Sequence, residues 1–137
     1  MKRSGQVGVE YMIIIGFVTI AIMSILVLAY FYSNEIKDRI RLNQVENFAA
    51  QLVSSAESDF FQGEPSKTTV RLYLPEGIEA VTLDQYNLII TTRTSSGQNI
   101  RAFSSDVILN GTISSGEGIK KLALEAKPTY VQISQVS

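Results

Sequence analysis

The pattern of apolar and polar positions divides the chain into three stretches. Residues 11–32 are almost uniformly apolar and carry no formal charge. Over residues 33–62 the apolar positions recur every three to five residues: Ile36, Ile40, Val45, Phe48, Leu52, Ala56 and Phe60, with Ala49 and Val53 widening the stripe. After Pro65 apolar and polar residues alternate. These periods predict an apolar helix, an amphipathic helix and a β domain, in that order.

The two helical stretches are predicted to form one helix. No Gly or Pro occurs between residues 17 and 62, and Gly63-Glu64-Pro65 is a strong stop signal. A helix from about Gln6 to Phe61 would be about 84 Å long if straight. Its segment 11–32 would span about 33 Å, which matches the hydrocarbon core of a bilayer, and its apolar side chains favour insertion by about 5 kcal/mol.

The region after Pro65 is predicted to be a set of short strands joined by Gly- and Ser-rich turns. The predicted strands are 68–74, 78–83, 86–94, 100–103, 107–113, 119–126 and 130–136. Segment 119–126 also has a composition that suits a helix, but its all-β surroundings favour a strand. Asn110-Gly111 is a predicted tight turn. About 72 residues form a small core, so we expect the amphipathic helix to complete it.

The predicted fold class is therefore α+β. A long N-terminal helix, half membrane-spanning and half amphipathic, is expected to pack its amphipathic half on a small antiparallel β-sandwich-like domain.

The residues before the apolar run distinguish it from an ordinary secretory signal. Such a signal has a shorter apolar core followed by a small-residue cleavage site. Here the apolar run is followed by Ser33-Asn34-Glu35, while the basic residues and the small residue Gly5 precede it. Cleavage after Gly5 would leave the apolar helix attached to the mature chain.

This arrangement resembles the class III signal peptide of archaeal type IV pilin-like precursors. In that family a basic leader is cut before a glutamine, which is followed by Ser or Gly two residues later and by Glu four residues later. Gln6, Gly8 and Glu10 match in order and spacing, although Ser is usual at the position of Gly8 and Leu at that of Ile14. The motif covers about a quarter of the chain. The run from Leu74 to Ile78 and the strands after it also look like the β domains of archaeal pilin-like surface proteins.

The resemblance implies four segments: a leader peptide (1–5), a transmembrane and assembly helix (6–32), an amphipathic extension (33–62) and an extracellular β domain (66–137). It also implies cleavage between Gly5 and Gln6 by a prepilin peptidase, and assembly through Gln6, Gly8 and Glu10. Glu10 has two interpretations. It is either a boundary residue at the lipid headgroups, or the partner of the new amino group at Gln6 of its own or a neighbouring subunit.

Composition narrows the chemistry further. The chain has no Cys and no His, which excludes thiol nucleophiles, disulfides and imidazole catalysis. The net charge of −1 gives no strong field that would point to nucleic acid. The carboxylates occur singly, so no metal, cofactor or catalytic residue is predicted, and an enzyme is not expected. Asn110-Gly111-Thr112 is an N-glycosylation sequon, for which a plain turn is the competing interpretation.

Three functions follow from these features. The leading one is a pilin or minor pilin, a structural subunit of an archaeal type IV pilus-like surface filament. The alternative is a single-pass membrane-anchored module whose external β domain binds a partner without forming filaments, and a third is an accessory that caps or primes a filament. The implied partners are the prepilin peptidase, other pilin subunits and, before assembly, the lipid bilayer. The basic residues on the two flanks nearly balance, so the leader resemblance, and not charge, predicts that the C-terminal domain lies outside the cell.

Overall fold

The computed structural model describes residues 4–136, and the side chains of residues 7–136. Most of the predicted leader and the side chain of Gln6, on which the cleavage prediction depends, therefore lie outside the described residues. Helix α1 runs from Ser4 to Gln62 without a break, close to the predicted bounds. Two compact units divide the chain, and we call them the N-terminal segment (residues 1–37) and the C-terminal domain (residues 38–137).

Seven strands follow the helix and confirm the α+β prediction. They are β1 (Lys67–Leu74), β2 (Ile78–Asp84), β3 (Asn87–Thr94), β4 (Gly97–Ser104), β5 (Ile108–Gly111), β6 (Gly118–Ala126) and β7 (Tyr130–Val136). The segment with ambiguous composition, 119–126, is a strand as predicted. In β1 the alternation has the expected effect, because Leu72 and Leu74 are buried while Tyr73 between them is exposed.

The strands form two sheets. The first has the order β1-β6-β7-β5 and the second has the order β2-β3-β4. All neighbouring strands are antiparallel except β5 and β7, which run parallel with Gly111 opposite Ile133. The predicted tight turn at Asn110-Gly111 is therefore wrong. These two residues end a strand, because pairing with a segment some twenty residues further along the chain overrides the local turn preference.

The core of the C-terminal domain lies between the helix and the two sheets. The buried helix residues are Val45, Phe48, Ala49, Leu52, Val53 and Ala56, and they share one apolar cluster with residues of both sheets such as Leu74, Leu88, Leu124 and Ile133. The helix thus completes the small core, as expected. The predicted apolar stripe is buried only from Val45 onward. Its first two residues, Ile36 and Ile40, are each 52% exposed.

A polar cluster joins the first turns of α1 within the C-terminal domain to the second sheet. Asp38 accepts hydrogen bonds from the hydroxyl group and, at 2.9 Å, from the backbone amide of Ser95, in the turn between β3 and β4. Arg41 pairs with Asp38 at 3.2 Å and with Glu76 at 2.8 Å, and also donates to the carbonyl of Arg93. The hydrogen bonds from Ser95, and then the charge of Arg41, lower the pKa of Asp38.

Candidate functional site: the apolar surface of the N-terminal segment

The N-terminal segment exposes apolar side chains on every side. Between Val7 and Tyr32 the large apolar residues are 48–75% exposed. Such a helix is long and apolar enough to span a membrane, and no residue of its most apolar 18-residue stretch is buried. A helix that is apolar all round must be covered by lipid or by other protein. The candidate functional site is therefore the lateral surface of this helix.

The Thr and Ser hydroxyls in the middle of this surface are hydrogen-bonded within the helix. The hydroxyl of Thr19 donates to the carbonyl of Ile15 at 2.7 Å, and that of Ser24 donates to the carbonyl of Ile20 at 2.8 Å. An unpaired hydroxyl would be costly in hydrocarbon, and these bonds remove that cost. The surface from residue 11 to residue 32 is thus compatible with lipid despite its Thr and Ser.

Small residues make this surface uneven. A side-chain carbon added at Gly8 or Gly16 would meet nothing within 4 Å, so both positions are open on the outside of the helix. Ser24 lies two turns after Gly16 and contributes to a shallow groove of about 500 Å³, which is lined by Ile20, Met23, Ser24, Val27 and Leu28. Small residues on a membrane helix let a second helix approach closely.

The structure describes the side-chain surroundings of two of the three predicted assembly residues, Gly8 and Glu10, but not of Gln6. Gly8 and Glu10 are exposed in the helix and lie two residues apart. The backbone of Gly5 and Gln6 is helical, but their surroundings are outside the described side chains. Both interpretations of Glu10, as a headgroup-level residue and as a partner of the Gln6 amino group, therefore stay predictions.

Asn110, the predicted glycosylation residue, is exposed in β5. This strand lies at the edge of its sheet, since it pairs only with β7. An edge position leaves the side chain of Asn110 accessible to another protein. No group of three or more carboxylates converges within the described residues, so we assign no metal site.

One polar residue of the C-terminal domain was not singled out from the sequence. Asp59 is only 2% exposed, although it is a carboxylate. The hydroxyl of Thr68 donates to its Oδ1 at 2.6 Å, and its Oδ2 is buried without a hydrogen-bond partner among the described residues. The spacing could have indicated that this carboxylate is buried, because Asp59 follows Leu52 and Ala56 on the apolar stripe of the helix.

Comparisons of the chain with protein-family models, curated proteins and solved structures found no match.

Proposed function

We propose that this protein is a structural subunit, a pilin or minor pilin, of an archaeal type IV pilus-like surface filament. The observation that carries the proposal is the lateral surface of the N-terminal segment, which is apolar on all sides and exposed throughout. Such a surface requires lipid before assembly and neighbouring helices afterwards. The order of Gln6, Gly8 and Glu10 immediately before the apolar run supports processing by a prepilin peptidase.

Assembly would use the apolar surface twice. In the membrane, lipid covers the helix, and the leader is removed between Gly5 and Gln6. In the filament, other subunits replace the lipid, with the open positions at Gly8 and Gly16 allowing close helix packing. Glu10 would pair with the amino group that cleavage creates at Gln6. An ion pair in these apolar surroundings would fix the register between subunits.

The test is the N-terminus and the location of the native protein, measured by mass spectrometry of sheared filaments and of washed membranes. A chain that begins at Gln6 in the filament fraction supports the proposal. A chain that begins at Gln6 but occurs only in membranes supports a membrane-anchored binding module instead. An intact Met1 in membranes refutes processing and leaves a plain single-span anchor.

Two variants sharpen this test. Glu10→Gln removes the charge but keeps the size of the side chain, so we expect normal cleavage and loss of filament incorporation. Glu117→Gln is the matched control, because Glu117 is exposed in the loop before β6, far along the chain from the leader motif. Equal incorporation of the two variants would refute the assembly role of Glu10.

The membrane-anchored binding module remains the second candidate. The observation that favours it lies in the C-terminal domain, where Asp59 is buried with one oxygen that no described residue hydrogen-bonds. Buried polar groups without a partner are rare in native proteins, and a functional role for the surrounding region is one explanation for this one.

A further inference from the structure

A groove runs along the C-terminal domain between the helix and the edge strand β1, and we call it the helix–strand groove. Its first half, of about 180 Å³, is lined on the polar side by Gln44, Asn47, Gln51 and Tyr73. Its second half, of about 400 Å³, is lined by Ser54, Ser58, Asp59, Gln62 and Thr68 among others. The helix residues of both halves recur every three or four positions, so they lie on one face of α1.

The two halves belong to one elongated surface. From Asn47 to Ser58 the helix rises by about 16 Å, and from Tyr73 back to Thr68 strand β1 extends by about 17 Å. The groove therefore has about the same length along the helix as along the strand. The two elements run in opposite directions beside it. A ligand that fills both halves must be elongated, with a length of about 16 Å or more.

The lining is polar but almost without charge. No Lys or Arg lines either half, and Asp59 is the only acidic residue that does. The amides of Gln44, Asn47 and Gln51 each offer a donor and an acceptor, and the hydroxyls of Ser54 and Ser58 do the same, whereas the Thr68 hydroxyl donates to Asp59. This pairing suits a neutral ligand whose own groups both donate and accept hydrogen bonds. An anionic ligand would find no cation in the groove.

Tyr73 adds an apolar contact to this polar lining. Tyr73 is 51% exposed and lines the first half of the groove together with the buried residues Phe48 and Leu72. An aromatic ring presents a flat apolar face with a polar tip. A sugar ring has the complementary features, because its C–H groups form an apolar face and its hydroxyl groups surround the edge.

Asp59, the acidic residue of the groove lining, is held inside the domain. Its Oδ1 is engaged by Thr68 at 2.6 Å and lies 3.5 Å from the Ser66 hydroxyl, whereas its buried Oδ2 has no partner among the described residues. Because Oδ2 is closed off from solvent, a ligand in the groove would contact the Ser and Thr hydroxyls that line the second half and not the carboxylate itself.

From these features we infer that the helix–strand groove binds a neutral oligosaccharide chain. Tyr73 stacks on one sugar ring, the amides of Asn47 and Gln51 bind its hydroxyls, and the hydroxyls of Ser54 and Ser58 bind a ring further along the chain. This binding needs only the folded C-terminal domain. It therefore goes beyond the filament proposal and does not depend on leader cleavage or assembly.

The test is a titration of the isotope-labelled full-length chain in zwitterionic micelles, since detergents with sugar headgroups would compete. The probes are the neutral hexamers maltohexaose, cellohexaose and chitohexaose, with a hexamer of galacturonate as the anionic comparison. We expect saturable shifts of the side-chain amide signals of Asn47 and Gln51 with at least one neutral hexamer, at concentrations up to about 1 mM. The anionic hexamer should cause none.

Two pairs of variants separate the groove from the rest of the surface. Tyr73→Ala should weaken binding at least about tenfold, a difference of about 1.4 kcal/mol. Tyr86→Ala, at a tyrosine of nearly equal exposure (48%) in the turn between β2 and β3, should bind as the unchanged protein does. Asn47→Ala should weaken binding, and Asn43→Ala, one helical turn earlier and outside the groove lining, should not. Thermal unfolding of each variant checks that the domain is folded.

Four results would overturn the inference. One is the absence of shifts with all three neutral hexamers up to about 1 mM. A second is equal weakening by Tyr73→Ala and Tyr86→Ala. A third is tighter binding of the galacturonate hexamer. The fourth is a change of the Asn47 and Gln51 signals with protein concentration alone, which would assign the groove to a second copy of the chain.

Discussion

Gly111→Ala tests the parallel pairing of β5 and β7, which the sequence did not reveal. Gly111 has a φ angle of +139°, and a side-chain carbon there would lie 1.9 Å from the carbonyl oxygen of Ile133 and 2.9 Å from its carbonyl carbon. A normal contact between carbon and oxygen is about 3.3 Å or more. The obstacle is backbone, so a rotamer change cannot relieve it, and the two strands must separate by more than about 1 Å.

The expected cost has two parts. A non-glycine residue at this φ costs about 1–3 kcal/mol, and the steric overlap adds about 1–3 kcal/mol. Gly111→Ala should therefore lower the free energy of unfolding by about 2–6 kcal/mol, a large fraction of the stability of a small domain. Gly97→Ala is the matched control, because Gly97 has a φ of +123° but nothing within 4 Å of the added carbon. It should cost only the first part.

Urea unfolding of the full-length chain in micelles, followed by the near-ultraviolet circular dichroism of its tyrosines, measures this difference. The Ala variant keeps Asn110 and Thr112, so the sequon is unchanged and glycosylation does not confound the comparison. Equal destabilisation by Gly111→Ala and Gly97→Ala would refute the close approach of Gly111 to Ile133, and with it the parallel register.

Three further predictions concern the core, the polar cluster and the membrane segment. Leu52→Ala removes a fully buried side chain and should lower the free energy of unfolding by about 2–5 kcal/mol in the same urea assay; a loss below about 1 kcal/mol would contradict the packing of the helix on the sheets. Because hydrogen bonds from Ser95 lower the pKa of Asp38 in the folded state, their stabilising effect is complete above the unfolded pKa of about 3.9 and is lost as the pH falls through the lower folded value. Asp38→Asn should therefore flatten the decline of thermal stability below about pH 4, and an unchanged acid profile would contradict this role. Ile25→Arg should raise the cost of membrane insertion by about 3–4 kcal/mol and shift the chain out of the washed membrane fraction, whereas Ile25→Leu should not; equal membrane fractions for the two variants would refute a spanning segment.

The elements of this fold were predictable where the signal is local. The long helix followed from the absence of Gly and Pro between residues 17 and 62, and its end at Gln62 followed from Gly63, which has a φ of +81°. Strand β1 followed from the alternation of Val70, Leu72 and Leu74. These features depend on the period of side chains along one segment, which the sequence displays directly.

Pairings between distant segments were not predictable. Asn110-Gly111 has the local signature of a turn, and only the contact with β7 makes it the end of a strand. The helix–strand groove depends in the same way on Asn47 and Tyr73, which are far apart in sequence and meet only because β1 lies beside the helix. The apolar segment and the leader motif are continuous in sequence, so both could be recognised without knowing any contact between distant residues.

The position of β7 has a consequence for the order in which the domain forms. Residues 130–136 lie between β6 and β5 in the first sheet, so β5 has no partner strand in that sheet until β7 is in place. Synthesis runs from the N-terminus, and the strand that joins this sheet is the last of the seven to emerge. Until then β5 has an unpaired backbone edge and the core lacks Val131 and Ile133, which makes the partly synthesised chain prone to aggregation.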